Sequence, residues 1–373
     1  MLVRMLSVLR LALKKTGLLP LVKRVHYRPS GGNAGRSSQS GWKYRLKLLI
    51  EQANYAAMEQ VHDLPAIHVY WENKHLAPLF RDFGFETLEE FFCQQLAQAL
   101  RSSTPPTTMV NATNVIVSIG SGNCDFEVAL ARRLVGAGLD NFRIECMDVN
   151  TEMLRRGQAL ARADGVAPFI VPVQADFNSW TPESGRYLAV LANQSLHHVV
   201  NLEGLFDAVK RSLRPAGLFL VSDMIGRNGH MRWPEALAMV NEFWGRLPAR
   251  YRANRLLGTT DEQYVNFDCS KAGFEGIRAQ DILPLLVQRF GFKVFVPFGN
   301  VIDVFVDRGI GPNFDPSNAW DRDFIDRVHA ADVEALRAGR IKPTHMVAAL
   351  SPAPQTQTRH PEMLGPAFCV RTP

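Results

Sequence analysis

The sequence lacks the features of a disulfide-stabilised, zinc-binding or membrane-spanning protein. Its 373 residues include five cysteines, and no two of them stand in a Cys-x-x-Cys pair. This scatter argues against a disulfide framework or a zinc site and favours a reducing compartment, so we expect a cytoplasmic protein. No stretch approaches the ~20 consecutive apolar residues that a membrane-spanning helix needs. A hydrophobic content of 46% with 21% charged residues is enough for a sizeable globular core.

Acidic side chains are absent from the first 50 residues, which contain eleven Lys and Arg. The whole chain has a net charge of +6, so residues 51–373 carry a net charge of −5. The positive charge therefore belongs to the N-terminal segment, and this asymmetry suggests contact with an anionic surface. Because the rest of the chain is acidic, nucleic acid is not the expected partner.

Residues 1–28 form the basic amphipathic part of this segment. On a helical wheel one face is apolar and comprises Leu2, Met5, Leu6, Leu9, Ala12 and Leu13. Three interpretations fit: a peripheral helix on the inner face of an anionic membrane, a helix packed on its own domain, or an organelle transit peptide. A secretory signal is not expected, because Arg4 and Arg10 interrupt the apolar run. Residues 29–41, rich in Gly and Ser, are predicted to be a flexible linker.

Residues 42–109 are predicted to form a helical cover over the rest of the chain. Within it, Thr87 followed three residues later by Glu90 is the signature of a capping box at a helix start. Aromatic side chains are dense around Trp71. Trp71 either belongs to a lid that closes over a site and contacts the substrate, or it packs in the core.

From residue 114 onward, short apolar segments alternate with segments of helical periodicity. The predicted strands are 114–119, 142–147, 168–173, 187–192 and 217–222. The predicted helices between them include 124–136, 151–163 and 202–213. This alternation predicts βαβ units, and therefore a mostly parallel sheet with helices on both faces. Ligands of such sheets bind at the carboxyl ends of the strands, so the residues that follow each strand are the site candidates.

A glycine turn, Gly120-Ser121-Gly122, follows the first strand and precedes a helix. Glycines let a ligand approach the backbone closely, and a helix N-terminus favours negative charge. A phosphate-binding P-loop would require Gly-Lys-Ser/Thr, which is missing. A dinucleotide motif would require a third glycine at the position of Asp125, whose carboxylate would repel a pyrophosphate. A plain strand-to-helix turn stays open as the alternative.

Polar side chains follow three further strands. Asp148, followed by Val149, suits hydrogen bonds to ribose hydroxyls. Asp176 suits an adenine amino group, and Phe177 can cover the adenine ring. Asn193 ends the fourth strand. Each of these residues alone could be a helix cap or a core residue. Because successive strands each end in a residue that suits a ligand, we interpret them together as one shared binding site.

These stretches resemble the class I S-adenosylmethionine-dependent methyltransferases, in particular their small-molecule, type 11/12-like bacterial branch. IVSIGSGNCD resembles the first motif of the family, Asp148 its ribose-binding acid, and ADF at 175–177 its adenine-side motif. LRPAG is typical of the turn before the fifth strand. The resemblance covers residues 110–225. Further on, FKVFVPF and THMVAAL are similar to the last two strands, of which the final one is antiparallel.

The resemblance implies an α/β fold with a doubly wound, mostly parallel, seven-stranded sheet. The methyltransferase domain would span 110–350, with insertions near 231–280 and 307–340 and an irregular tail at 351–373. The implied cofactor is S-adenosyl-L-methionine. It would be held by Gly120, Ser121, Gly122, Asp125, Asp148, Val149, Asp176, Phe177 and Asn193.

The sequence departs from the family pattern at two positions. The family has an acid where Ser118 stands and a third glycine where Cys124 stands. Loss of the acid removes a hydrogen-bonding anchor near the methionine part of the cofactor. Asp125 is the residue expected to take over that role, although its spacing is not equivalent.

Methyl transfer to a hydroxyl or ammonium group also requires that the acceptor atom lose a proton, and histidine is the natural base near neutral pH. His197 and His198 follow the fourth strand and His230 follows the fifth, so all three are candidate catalytic residues. Either member of the adjacent pair can instead point into the core or cap the next helix. Because adjacent histidines diverge, no metal site is expected.

Substrate contacts are predicted in two places besides Trp71. Asp223 and Arg227 follow the fifth strand, in a stretch that is otherwise interpreted as a plain surface loop. Glu275 and Arg278 are three residues apart, so they either orient a polar substrate or form an ion pair on a helix.

The predicted function is methyl transfer from S-adenosylmethionine to an oxygen or nitrogen atom of a small-molecule acceptor, or of a glycan- or lipid-linked one. A catalytically silent methyltransferase-like module, tethered to a membrane or a partner, would fit the changes at Ser118 and Cys124. A nicotinamide-dependent oxidoreductase would use the same kind of sheet, but the missing third glycine and the LHH sequence count against it.

Overall fold

The computed structural model describes residues 64–103, 113–271 and 273–371. The predicted basic segment 1–28 and the predicted linker 29–41 lie outside the described residues.

Helices make up the described N-terminal part. Helix α1 (Ala66–Trp71) continues through a π-helical turn (Glu72–Leu76) into α2 (Ala77–Arg81), and α3 (Leu88–Ser102) follows. The predicted start of α3 is confirmed, because Thr87 Oγ1 accepts a hydrogen bond from the backbone N–H of Glu90 at 3.2 Å. This bond satisfies one of the N–H groups that a helix start leaves without a partner.

Seven strands form the main sheet, and two short strands pair separately with each other. In chain order they are β1 (Asn114–Ile119), β2 (Phe142–Asp148), β3 (Ile170–Gln174), β4 (Tyr187–Asn193), β5 (Leu213–Met224), the separate pair β6 (Ala253–Asn254) and β7 (Thr259–Thr260), β8 (Gly291–Phe298) and β9 (His345–Ser351). The main sheet has the order β3-β2-β1-β4-β5-β9-β8. The neighbours from β3 to β5 are parallel, whereas β9 runs antiparallel to β5 and β8. The predicted seven-stranded sheet with an antiparallel final strand is confirmed.

Helices flank this sheet. They are α4 (Asp125–Gly136), α5 (Thr151–Ala163), α6 (Leu202–Ser212), α7 (Pro234–Arg246), α8 (Ala279–Arg289), α9 (Val301–Val306), α10 (Ala319–Arg337) and α11 (Pro366–Cys369). Helix α4 packs on α3 and α5, and α6 packs on α8. Within the described ranges, no helix has the length and apolar character that crossing a membrane requires.

The central strands explain why the site candidates share one edge. All six residues of β1 are buried, as are the first six of β4, which is why both strands are apolar runs without alternation. Because β1, β2, β4 and β5 are parallel, their carboxyl ends meet at the same edge of the sheet. The glycine turn, Asp148, the adjacent histidines and Asp223 therefore lie at or beside that edge.

The LRPAG segment differs from the predicted turn. Strand β5 already begins at Leu213, which pairs with Tyr187, whereas Ala189 pairs with Leu218. The register thus shifts within the segment, and β5 carries extra residues that bulge from the ladder.

Candidate active site at the carboxyl edge of the sheet

The glycine turn joins β1 to α4 and packs on the segment that follows β4. Gly120 has a φ of +70°, in the left-handed region that glycine adopts without strain. Its N–H donates to the carbonyl of Met147 at 2.8 Å, which ties the turn to the end of β2. A Cβ at position 120 would lie 2.7 Å from Cβ of Ser195. Both the backbone conformation and the close approach of Ser195 therefore require glycine here.

Cys124 stands at the third glycine position of the family, and its backbone has kept the glycine-like conformation. Its φ is +58°, and its side chain is buried. The space for that side chain comes from Gly157 on α5, because a Cβ at Gly157 would lie 2.6 Å from the Cys124 sulfur. The departure at Cys124 is therefore matched by a glycine on the neighbouring helix.

Glu127 supplies the carboxylate that is missing at Ser118. The Ser118 hydroxyl donates to Glu127 Oε1 at 2.5 Å, and both side chains are buried. Asp125, the predicted replacement, is exposed at the first residue of α4, and its role as an anchor for the methionine part of the cofactor stays a prediction. Burial raises the pKa of Glu127 to about 7, although the hydrogen bond from Ser118 opposes the shift.

Glu127→Gln is expected to stabilise the protein by about 3 kcal/mol at pH 8, because a pKa raised from 4.5 to about 7 disfavours the ionised carboxylate in the folded state. The unfolded chain loses this proton near pH 4.5, so the destabilisation begins there, grows as the pH rises and is complete above about pH 7. At pH 5 the gain should fall below about 1 kcal/mol. Urea unfolding at pH 5 and pH 8 measures the difference in the free energy of unfolding between the variant and the wild type. The exposed Glu242→Gln is the control. An equal gain in stability at both pH values would contradict the raised pKa of Glu127.

Asp148 braces the glycine turn from the end of β2. Its Oδ2 accepts the N–H of Gly122 at 2.9 Å, and its Oδ1 accepts the N–H of Asn150 at 2.8 Å. Burial raises the pKa of Asp148, while hydrogen bonds from the backbone N–H groups of Asn150, Gly122 and Val149 oppose the shift. A carboxylate has about four lone-pair sites, and three of those on Asp148 are used by backbone N–H groups, so one remains for a ribose hydroxyl. Val149, the next residue, is half-buried.

The two candidate residues after β3, Asp176 and Phe177, have different surroundings. Asp176 caps a short 3-10 turn, since its Oδ1 accepts the N–H of Asn178 at 2.9 Å. Its contact with adenine stays a prediction. The ring of Phe177 reaches the glycine turn, with Cε1 at 3.9 Å from the position of a Cβ at Gly120. Phe177 is therefore placed to cover a ligand held there.

Four buried oxygen atoms around the glycine turn have no hydrogen-bond partner among the described residues. They are Oδ1 of Asn123, Oε2 of Glu127, Oδ1 of Asn193 and Oγ of Ser195. Buried polar atoms are normally paired, so acceptors left over at one place indicate a ligand that donates hydrogen bonds. The ammonium group of S-adenosylmethionine is such a donor, and these residues fit that cofactor.

His197 is held in a defined orientation by Asp223. Nδ1 of His197 lies 2.7 Å from Oδ1 of Asp223, whose side chain is fully buried. The other carboxylate oxygen, Oδ2, accepts the N–H groups of Ser195 and Leu196 at 2.9 and 2.7 Å. Because an ionised carboxylate only accepts, the proton is on Nδ1, and Nε2 faces away from Asp223. The predicted substrate contact of Asp223 is therefore wrong, and Asp223 is a positioning residue for His197.

Three imidazoles surround one carboxylate, and we call His197, His198, His230 and Glu275 the histidine cluster. Glu275 Oε1 lies 2.7 Å from His230 Nε2 and 3.5 Å from His197 Nε2. Glu275 Oε2 lies 3.6 Å from His198 Nε2. The structure thus brings all three predicted histidines together with one predicted substrate-binding residue.

The charges within the histidine cluster stabilise one another. Burial by itself lowers the pKa of His197, but the charge of Asp223 and hydrogen bonds to Asp223 and Glu275 outweigh it, so the pKa is raised. Burial by itself raises the pKa of Glu275, but hydrogen bonds with His197 and His230 and the charge of His198 hold it well below its usual range. Protons shared between imidazole and carboxylate therefore hold the cluster together.

The two arginines predicted to contact the substrate, Arg227 and Arg278, contact other side chains of the protein. Arg278 pairs with Glu203 through both terminal nitrogens, at 2.6 and 2.8 Å, and with Asp281 at 2.8 Å. The predicted ion pair between Glu275 and Arg278 is therefore replaced, and Arg278 joins α6 to α8. Arg227 lies over the ring of Trp233, 5.1 Å from its centroid.

Trp71 packs in the core, which settles the choice between lid and core for this residue. Its side chain is 3% exposed. The indole N–H donates to Nδ1 of His329 on α10 at 3.1 Å. The predicted substrate contact of Trp71 is therefore wrong.

Sequence reasoning missed several residues of this site. Glu127 could have been recognised from its place on the helical face shared with Leu130 and Ala131, where a carboxylate is unusual. Gly157 could have been noticed as a glycine inside a helical pattern, which costs about 1 kcal/mol unless something requires it. For Ser195, nothing local in the sequence indicates the contact with Gly120.

A family model described as a methyltransferase domain matches residues 116–217. The match runs from within β1 to the first part of β5, and it includes the glycine turn, Asp148, His197 and His198. No curated protein matches the chain significantly.

Several solved structures are similar to this chain at low sequence identity. Geranyl diphosphate C-methyltransferase from Streptomyces coelicolor A3(2), in complex with S-adenosyl-L-homocysteine, is 15% identical, with coverage of 81% of this chain and 97% of that one and a TM-score of 0.41. A putative sarcosine dimethylglycine methyltransferase from Galdieria sulphuraria is 13% identical, with 71% and 85% coverage and a TM-score of 0.42. The [4+2]-cyclase SpnF is 14% identical, with 87% and 100% coverage and a TM-score of 0.42.

Proposed function

We propose that this chain, in which residues 116–217 match a methyltransferase domain, is a class I S-adenosylmethionine-dependent methyltransferase. Its histidine cluster binds the acceptor and takes the proton that the acceptor loses. The acceptor atom is an oxygen or a nitrogen of a small molecule. Its lone pair forms a bond to the methyl carbon while the carbon–sulfur bond breaks, and the electrons of that bond stay on sulfur. The products are the methylated acceptor, S-adenosylhomocysteine and a proton on the cluster.

The contact between the glycine turn and the histidine cluster carries this proposal. Ser195 packs against Gly120 with one side, and its backbone N–H donates to Asp223, which orients His197. A cofactor held at the glycine turn is therefore separated from His197 by a single short segment. Holding the methyl group and the acceptor in line can lower the barrier by roughly 7–11 kcal/mol. A positioned base can raise the rate by a further factor of about 10²–10⁴.

The chemistry of the cluster favours a polar acceptor. Glu275 and the imidazoles of His198 and His230 offer hydrogen bonds to hydroxyl or ammonium groups. A glycan- or lipid-linked acceptor remains a prediction of the sequence, as do the peripheral membrane contact of residues 1–28 and the cytoplasmic location.

The first test is calorimetric titration with S-adenosylhomocysteine, for which we expect micromolar affinity. Asp148→Ala should weaken binding at least about tenfold, because hydrogen bonds to a charged group contribute about 1.5–3 kcal/mol each. Exposed Asp140→Ala is the matched control and should bind like the wild type. NAD, titrated in parallel, should not bind.

Two outcomes would contradict the proposal. No binding of either compound would favour the silent module, and binding of NAD alone would favour the oxidoreductase. Thermal unfolding of Asp148→Ala distinguishes lost binding from lost folding, because this residue also braces the glycine turn.

A further inference from the structure

The donor atoms of the histidine cluster are grouped as in a metal site. Those of His197, His230 and Glu275 all lie within 4.8 Å of one another. In a tetrahedral zinc site with bonds of about 2.0–2.1 Å, neighbouring donors are about 3.3 Å apart. The distances from Glu275 Oε1, 2.7 Å to His230 Nε2 and 3.5 Å to His197 Nε2, lie on either side of that value.

We propose that His197, His230 and Glu275 bind a divalent transition-metal ion, with His198 as a further ligand. Two or three imidazoles and one carboxylate suit Zn²⁺ and the neighbouring first-row ions better than Mg²⁺ or Ca²⁺, which prefer oxygen ligands. The ion takes the place of the protons that hold Glu275 to the imidazoles in the metal-free cluster. Metal binding therefore releases protons and keeps the same side chains together.

Asp223 prepares His197 for this role. It is fully buried and accepts the Nδ1 proton at 2.7 Å, so the lone pair of Nε2 is directed toward Glu275 and His230. Carboxylate–histidine–metal arrangements of this kind fix the ring orientation and make the ligating nitrogen more basic.

The backbone around His230 is held in an unusual conformation that brings it to Glu275. His230 has a φ of +56°, which is strained for a residue with a side chain. The N–H of Gly229 donates to the carbonyl of Gly276 at 2.8 Å, and the N–H of Ile277 donates to the carbonyl of His197 at 3.1 Å. Strain of this kind concentrates at functional sites, where the surrounding structure maintains it.

The consequence for catalysis rests on the proposed function. Glu275 is partly exposed, so an ion bound there can offer a coordination position on its accessible side. An acceptor hydroxyl bound at this position would be acidified and lose its proton to water. In the metal-bound protein His197 is then a ligand, and the acceptor is a hydroxyl compound.

Calorimetric titration of the chelator-treated, full-length protein with Zn²⁺ tests the site. We expect one Zn²⁺ per chain, and affinity at least about tenfold weaker in both His230→Ala and Glu275→Gln. Asp223→Asn should weaken binding about 10–100-fold through the orientation of His197. Exposed His360→Ala is the matched control and should bind like the wild type. Absorption of bound Co²⁺, lost in His230→Ala, gives a second readout.

Absence of stoichiometric zinc binding, or equal affinity in His230→Ala, Glu275→Gln and the wild type, would overturn the metal site. Titration of the same samples with S-adenosylhomocysteine separates the two proposals. Zinc binding without S-adenosylhomocysteine binding supports the metal site and contradicts the proposed function. S-adenosylhomocysteine binding without zinc binding does the reverse.

Discussion

Asp223→Asn is expected to lower kcat by about 10²–10⁴ while leaving the affinity for S-adenosylhomocysteine within about threefold of the wild type. Oδ1 of Asp223 accepts from His197 and from the backbone N–H of Met224, and Oδ2 accepts from two further backbone N–H groups. In the asparagine variant the remaining oxygen keeps the N–H groups of Ser195 and Leu196, which are two of the three backbone donors. The amide NH₂ then faces Nδ1 of His197, and the N–H of Met224 loses its acceptor. That contact requires a proton-free Nδ1, and the ring proton moves to Nε2. A proton fixed on Nε2, which faces Glu275, keeps this nitrogen from taking a further proton in the metal-free cluster and from binding a metal ion.

Release of S-adenosylhomocysteine measures the rate, with a panel of hydroxyl and amine acceptors. Nitrogen chemical shifts of His197 report which ring nitrogen carries the proton, and a merely structural role of Asp223 would not move the proton from Nδ1 to Nε2. Exposed Asp140→Asn is the matched control. A variant that stays folded, keeps the wild-type tautomer and turns over normally would contradict the positioning role of Asp223.

Gly120→Ala is expected to destabilise the protein by about 2–5 kcal/mol and to abolish binding of S-adenosylhomocysteine. A left-handed backbone costs alanine about 1–2 kcal/mol, and overpacking adds about 1–3 kcal/mol. The overpacking arises because the new methyl group would lie 2.7 Å from Cβ of Ser195. Urea unfolding and calorimetry measure the two effects.

Gly138→Ala separates backbone strain from steric contact. Gly138 has a φ of +75°, close to that of Gly120, but a Cβ there would meet nothing within 4 Å. This control should lose only about 1–2 kcal/mol and keep its cofactor affinity. If both variants lost equal stability, the close packing of Ser195 would not be the reason for glycine at position 120.

The sequence by itself determined the order of strands and helices and the edge at which the site lies. Strand β1 was predicted at its observed bounds, and the helices α4, α5 and α6 were predicted to within one residue. The reason is that apolar periodicity and capping residues act over a few positions, and parallel strands must carry their ligands at the carboxyl ends. Gly120 and Asp148 could be selected because each directly follows a strand.

Only the tertiary structure decided which side chains act together. His197 is 26 residues from Asp223 in the sequence, and Glu275 lies on a loop that the histidines reach only after folding. Because Glu275 and Arg278 are three residues apart, the sequence suggested an ion pair on a helix. The chain between them is instead a turn before α8, so the two side chains have different partners.

The compensations at the departures from the family pattern were likewise visible only after folding. Glu127 approaches Ser118 across the β1–α4 turn, and Gly157 accommodates Cys124 from another helix. Local propensity fixes the backbone of each element, but side-chain partners depend on how the elements pack on one another. The sequence therefore determined where the candidate site is, and tertiary packing decided which side chains meet there.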